Sequence, residues 1–202
     1  SKTVYTANYS SGSVTVFKTK ADGSLHPASQ HIVYKGSSIN KNRQEKPHAH
    51  CAVVSPDNNY LYVSDLGTDL INRHAILSDG SIEDKPLSYK VESGNGPRHI
   101  VFNQKGTFAY SINEMKGTVD VFAVQASGLK KLQTLVADTV QTKEDHGSGA
   151  IQLSPDGKWL LVSNRITSDQ VVVFAVQQNG TLVKKHHVDV TKKPRFFRFD
   201  EN

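Results

Sequence analysis

Short apolar runs alternate with turn residues along the whole chain. In Gly96–Glu114, GPRHIVFNQKGTFAYSINE, Ile100–Phe102 is apolar, Asn103–Gly106 carries turn chemistry, and Phe108–Ile112 is apolar again. This pattern predicts a β-hairpin. Folding at Gln104–Gly106 brings Arg98 and His99, at one end, near Asn113 and Glu114 at the other. Four strand ends share the design: Tyr5–Tyr9, Tyr62–Leu66, Tyr110–Glu114 and Leu161–Arg165. Each apolar strand finishes on Asn8, Asp65, Asn113 or Asn164, at intervals of 57, 48 and 51 residues.

Two further registers repeat in phase. A β-branched strand follows the strand ends at Ser13–Phe17, Thr118–Phe122 and Gln170–Phe174. Glycine turns come next, at Asp22-Gly23, Asp79-Gly80, Ser127-Gly128 and Asn179-Gly180. Asp-Gly and Asn-Gly suit two-residue hairpins, in which both central residues take positive φ. Before the strand ends stand Val53–Asp57, Val101–Lys105 and Gln152–Asp156, two of them built on Ser-Pro-Asp turns.

Each repeat therefore predicts four short antiparallel strands, with no substantial helix. Four-stranded units of this length, repeated in tandem, define an all-β fold, the β-propeller. A β-sandwich explains the strands but not three registers repeating in phase. The chain opens on the second strand of a repeat, and Phe197–Asp200 reads as the start of a further copy. About four blades' worth of strands results. They could close as a four-bladed ring or form an arc of a larger one, and the abrupt ends favour the arc.

Composition narrows the class. The 202 residues are 37% hydrophobic and 21% charged, which suits a globular protein with a sizeable core. The formal charge of +5 is mild and fits a small anionic substrate as readily as nucleic acid. No nucleic-acid motif, phosphate-cradling glycine loop or serine nucleophile elbow is present. No apolar run approaches the roughly 20 residues of a membrane span. The cationic stretches Lys184–His187 and Lys192–Arg195 read as solvated strand. Cys51, the single cysteine, excludes an internal disulfide and reads as a packed, inert thiol.

In a propeller the first strands line a central channel, so their starts meet the ends of the second strands at one face. Equivalent starts are His50, Arg98, Gly149 and Arg195, and equivalent post-strand residues are Tyr9, Leu66, Glu114 and Arg165. These positions vary while the adjoining strands stay apolar, as a binding face would. Asn8, Asp65, Asn113 and Asn164 fit residues that satisfy turn backbone. Asn8, Asn113 and Asn164 also stand beside the variable positions, and with His48 and Arg195 they are candidate substrate contacts. His48 and His50 form only half of a metal pattern, so no metal or cofactor is expected. His99 is expected to turn into the core, and Asp145-His146 to lie in a solvated loop. Trp159 and most Phe and Tyr residues are expected in the core.

The segments RQEKPHAHCAVVSPDNNYLYVSDLGTDLI (43–71), GPRHIVFNQKGTFAYSINE (96–114), SGAIQLSPDGKWLLVSNR (148–165) and ANYSSGSVTVF (7–17) resemble the seven-bladed lactonase propellers. That family includes the bacterial propeller-type 6-phosphogluconolactonases and the fungal carboxymuconate lactonizing enzymes. The resemblance implies a seven-bladed ring of which residues 1–202 are an internal portion of a single domain. It also implies a metal-free site of one His, two Arg and one Glu at a channel mouth. By motif these are His50, Arg98, Glu114 and Arg165. Two departures stand out: Asn72-Arg73-His74 interrupts an apolar strand, and KKPRFFRFD (192–200) is bulkier than the family pattern.

The resemblance implies hydrolysis of an anionic sugar lactone, in the cytoplasm. Arg98 and Arg165 would bind phosphate and oxyanion, and Glu114 and His50 would move protons. Neighbouring arginines favour an ionised Glu114, which makes His50 the better acid. Cycloisomerisation of a carboxymuconate by the same residues is the alternative reaction. A non-catalytic propeller that binds a ligand or protein is the alternative class.

Overall fold

The computed structural model describes residues 2–140, 142 and 145–200. Every element among them is a β-strand, and sheet neighbours pair antiparallel. Among the described residues no helix is long and apolar enough to cross a membrane. The chain divides into two compact units, Ser1–Gly94 and Asn95–Asn202.

The first unit holds a three-stranded sheet, β1 (Thr3–Asn8), β2 (Ser13–Thr19) and β3 (Leu25–Val33). A four-stranded sheet follows, β4 (Ala49–Val54), β5 (Tyr60–Asp65), β6 (Leu70–Ala75) and β7 (Leu87–Lys90). The second unit holds β8 (Pro97–Phe102), β9 (Phe108–Asn113), β10 (Thr118–Gln125) and β11 (Gly128–Val136), then β12 (Ile151–Leu153), β13 (Trp159–Asn164), β14 (Gln170–Val176) and β15 (Leu182–Asp189). Order in each sheet follows order in sequence, as the repeat requires. Phe197–Asp200 carries no strand. The ladder partner of a first strand is the strand that follows it, and no such strand lies among the described residues.

Burial explains the apolar pattern. β5 and β9 are buried along nearly their full length, whereas β3, β11 and β15 are mostly exposed. In the first unit Val14, Val16, Ala49, Leu61, Val63 and Ile82 pack between successive sheets. In the second, Tyr110, Ile112, Val121, Leu160, Val172 and Phe174 do the same. Trp159 is 40% exposed, contrary to expectation, because it opens β13 at the solvent-facing turn.

The repeat extends to its hydrogen bonds. The Tyr5 and Tyr110 hydroxyls donate to the Gly80 and Gly180 carbonyls, at 2.9 and 3.0 Å, in the glycine turns of the following sheets. Gln30 brackets Ile82 through its amide (2.7 and 3.0 Å), and Gln133 brackets Leu182 likewise (3.1 and 2.9 Å). These side chains staple consecutive sheets within each unit. At Gly23, Gly80 and Gly180 only the glycine has positive φ. Gly23 N–H donates to Lys20 O (3.1 Å) and Lys20 N–H to Ser24 O (2.7 Å). The turn is thus a three-residue hairpin with a left-handed glycine, not the expected two-residue form. Asp22 takes no positive φ and instead accepts the Ser24 N–H at 2.9 Å.

The interruption at Asn72-Arg73-His74 also has a local cause. Asn72 accepts from the Ser88 hydroxyl (2.6 Å), and the Arg73 guanidinium lies 4.4 Å from the Tyr60 ring centre. Fully buried His74 bridges the Glu83 carbonyl (2.6 Å) and the Tyr34 hydroxyl (2.8 Å). Each polar group in this strand has a partner, so the strand survives its composition.

Candidate active site

Two bulges create the site chemistry. In the β8–β9 ladder Pro97 faces Asn113 and His99 faces Ile112, so Arg98 is an extra residue. In the β4–β5 ladder Ala49 faces Asp65 and Cys51 faces Ser64, so His50 is the extra residue. A bulge interrupts side-chain alternation and re-aims the residue it carries. Its position at the same register in two sheets explains why these polar side chains escape the apolar pattern of their strands.

In the second unit Arg98 is 2% exposed and Glu114 is 5% exposed. Arg98 Nε donates to Glu114 Oε2 at 2.8 Å. Arg165 Nη2 stands 3.1 Å from the same oxygen and keeps more contact with solvent. One carboxylate oxygen thus joins two guanidinium groups, an arrangement that favours the ionised carboxylate. Two cations and one anion leave a net positive charge at these strand ends. Burial pulls the Arg98 guanidinium down from its ordinary pKa; Glu114 opposes this, while Arg165 and Arg195 add to it.

Arg98 Nη1 also donates to the Gly149 carbonyl at 2.8 Å. The same nitrogen lies 3.1 and 3.3 Å from the two ring nitrogens of His99. His99 is only half-buried and rests against Arg98 rather than turning into the core. The bulge accounts for this, since it breaks the alternation that pointed His99 inward. Gly149 N–H pairs with Ser163 O at 2.7 Å, and a Cβ there would stand 2.8 Å from Ser163 Oγ and 3.1 Å from Pro194 O. Arg195 itself is exposed, with its carbonyl 3.3 Å from the same point.

In the first unit Tyr9 stacks on His48 with ring centres 4.5 Å apart, and meets His50 edge-on at 5.5 Å. His48 Nδ1 lies 3.1 Å from Tyr9 O and Nε2 lies 3.2 Å from Glu45 Oε1. Asp65 Oδ1 accepts the N–H groups of His48 (2.7 Å) and Gly67 (3.0 Å). Burial pushes the Asp65 carboxyl up, and these donors oppose the rise.

Asn8 and Asn113 are turned to their own sheets, whereas Asn164 reaches the backbone that follows β11 of the preceding sheet. Asn8 Nδ2 donates to Ser13 Oγ (3.1 Å) and Thr15 Oγ1 (2.8 Å). Asn113 Nδ2 donates to Thr118 Oγ1 (3.0 Å) and Asp120 Oδ2 (2.9 Å). Asn164 donates to Ala137 O (3.3 Å) and accepts from Ser148 Oγ (2.8 Å). Among the described residues no three His, Cys, Asp or Glu side chains form a group able to hold a metal. The sequence reading missed the Gly149 carbonyl and the pairing of Asp138 with His146. The first follows from a backbone direction and the second from a long-range contact, and neither leaves a motif.

Tandem four-stranded antiparallel sheets with charged strand ends define a propeller-type protein. The family model for the seven-bladed β-propeller lactonases matches residues 1–202, and the chain belongs to that family. The 6-phosphogluconolactonase of Bacillus subtilis is 34% identical over 201 residues, covering 98% of this chain and 56% of its own length. That of Formosa agariphila is 32% identical over 200 residues, covering 96% and 56%. The chain thus spans little more than half the length of these curated relatives. Among solved structures, a Bacteroides fragilis protein is 45% identical with a TM-score of 0.90, over 98% of this chain and 58% of its own. The Pseudomonas aeruginosa periplasmic gluconolactonase is 34% identical with a TM-score of 0.88, over 99% and 58%.

Proposed function

We propose that the protein hydrolyses an anionic sugar lactone, 6-phosphogluconolactone above others, within a single propeller domain to which residues 1–202 contribute. The observation that carries this reading is Glu114, held between Arg98 and Arg165 through one oxygen, in a chain whose relatives are named 6-phosphogluconolactonases. Buried Arg98 orients the carboxylate. Arg165, nearer solvent, meets the substrate anion or the oxyanion. Glu114 takes a proton from water as the water oxygen adds to the lactone carbonyl carbon. The tetrahedral oxyanion collapses, the bond from that carbon to the ring oxygen breaks, and the ring oxygen takes a proton from His50. His50 holds this role by its motif and by a bulge register that matches Arg98. His48, Asn113 and Asn164 stand next to these residues in sequence, and Asn8 and Arg195 hold the equivalent positions in other copies of the repeat; of these, exposed Arg195 is best suited to attract a phosphate.

The proposed compartment is the cytoplasm, where sugar phosphates are made; cell fractionation decides between this and a periplasmic location like that named for the Pseudomonas relative. The catalytic test is turnover of 6-phosphogluconolactone by wild type and Glu114→Gln. A fall of about 10²-fold or more in kcat is expected for loss of the base. Unchanged turnover in Glu114→Gln overturns the mechanism. Loss of diene absorbance with carboxymuconate, and no lactone hydrolysis, would instead mark a cycloisomerase. Silence with both substrates in folded protein would mark a binding propeller.

A further inference from the structure

Asp138 is a buried carboxylate that the proposed reaction does not use. It follows β11, is 2% exposed, and is anchored by its own N–H to Gly117 O at 3.0 Å. Its Oδ1 accepts the Val140 N–H at 3.1 Å. Its Oδ2 accepts the Thr167 hydroxyl and lies 3.5 Å from His146 Nδ1. His146 is therefore not in a solvated loop; its side chain is 13% exposed and its ring lies over Gly117. A Cβ at Gly117 would stand 2.9 Å from both His146 Cγ and Asp138 Cβ, and its φ of +63° also suits glycine alone.

The backbone shows what this cluster holds. His146 N–H donates to Met115 O and Ser148 N–H to Glu114 O, both at 3.1 Å. On the other side, Ser148 Oγ bonds Asn164 Oδ1 at 2.8 Å, and Thr167 Oγ1 lies 3.3 Å from His146 O. The 146–148 segment is thus laid between the strand end that carries Glu114 and the loop that carries Arg165. Thr167, two residues beyond Arg165, is tied to Asp138.

We infer that Asp138, His146 and Thr167 are positioning residues that fix the spacing between Arg165 and Glu114 Oε2. The inference rests on the proposed role of that ion pair, but its geometry can be judged without catalysis. The buried Asp138 carboxylate takes one hydrogen bond from its own segment, the Val140 N–H, and one from the Thr167 hydroxyl across the sheets, so Thr167 is its tie to the Arg165 loop. Loss of the Thr167 hydroxyl releases the Arg165 loop from Asp138 while leaving the carboxylate its other partners.

The test compares Thr167→Val, which keeps shape and removes the hydroxyl, with Thr167→Ser, which keeps the hydroxyl. Asp138→Asn is the second probe should the valine variant fold poorly, as judged by circular dichroism. The direct readout is solvent exchange of the Arg165 side-chain Nε–H by ¹⁵N NMR. Exchange should quicken about tenfold in Thr167→Val and Asp138→Asn and stay within about twofold of wild type in Thr167→Ser. Arg98, held by Glu114 and Gly149, serves as the internal control. The kinetic readout is lactone turnover: kcat should fall about tenfold in Thr167→Val and recover in Thr167→Ser, as misplacement of a charge partner requires. Unchanged Arg165 exchange in both hydroxyl- and charge-deleted proteins overturns the inference. If wild type hydrolyses no lactone, the functional reading fails, and the exchange data still decide the positioning role.

Discussion

Arg98 donates from Nη1 to the carbonyl of Gly149, the residue that occupies the Arg98 position of the next repeat. One copy of the register supplies a guanidinium and the following copy supplies a backbone acceptor with no side chain in the way. The two deviations from repeat symmetry are therefore complementary. Arg98 has its Nε on Glu114 and its Nη1 on a carbonyl, so it serves to aim the carboxylate. Arg165 makes its contact from a more open position.

This division predicts different outcomes for the two arginines. Arg98→Ala leaves a buried carboxylate without its closest partner and should cost about 3–5 kcal/mol of stability. Arg165→Ala, whose side chain is 13% exposed, should cost less, about 1–3 kcal/mol, while lowering lactone kcat/KM at least as much. Denaturant unfolding and steady-state kinetics on both variants check this. Equal stability losses would refute the division.

Gly149 should tolerate no side chain. A Cβ would stand 2.8 Å from Ser163 Oγ, with the Pro194 and Arg195 carbonyls close behind. Gly149→Ala should destabilise by about 1–3 kcal/mol through overpacking. Ser163→Ala removes the nearest atom, although it also removes the acceptor of the Ala150 N–H. The double variant should be less destabilised than the sum of the singles, a coupling that a thermodynamic cycle measures. Additive losses would place the strain elsewhere.

The repeat, the sheet order and the meeting of Arg98, Glu114 and Arg165 were legible because apolar runs, turns and strand ends recur in phase. What escaped depends on backbone detail. An extra residue at Arg98 or His50 leaves the local apolar pattern intact, so neither bulge nor the reorientation of His99 shows in the letters. The Asp-Gly pairs marked the turns correctly but not their length, because an aspartate that accepts its neighbour's N–H keeps an ordinary negative φ. Asp138 and Thr167 are 29 residues apart, and His146 read as part of a polar loop because nothing local announces a buried acid. The odd strand at residues 72–74 looked like a departure and is instead a set of satisfied polar groups. Its partners Ser88, Tyr60 and Tyr34 lie elsewhere in the first unit.

His74 gives stability a pH dependence. Burial lowers its pKa from the ordinary value of 6.5, with the Glu83 carbonyl opposing the shift. The folded ring is neutral, donating from Nδ1 to Glu83 and accepting from Tyr34 at Nε2. Above pH 6.5 the imidazole is neutral in both folded and unfolded chains, and its contribution to stability is fully present. As pH falls below that value the unfolded chain binds a proton that the folded one resists, so stability is lost until the folded pKa is passed. The slope should approach about 1.4 kcal/mol per pH unit at most. Unfolding measured from pH 8 to 5 on wild type and His74→Gln isolates this part. Parallel curves would remove His74 as its source.

Tyr9 stands where the repeat places Glu114 and Arg165, yet it offers a ring instead of a charge. It is 37% exposed, stacks on His48 and touches His50 edge-on. His48 is tied to Tyr9 O and Glu45, and its backbone to Asp65, so it is a rigid backing for the phenol ring. The phenol ring in turn limits where His50 can swing. Such aromatic contacts are worth about 0.5–1.5 kcal/mol beyond burial. Tyr9→Phe keeps the ring and should leave turnover within about twofold of wild type; Tyr9→Ala should lower kcat by about three- to tenfold as His50 loses its fixed rotamer. The pH–rate profile separates positioning from general damage, because the limb assigned to His50 should move in Tyr9→Ala and stay in Tyr9→Phe. A profile unchanged in both variants, with normal melting, would show that His50 is held by other contacts.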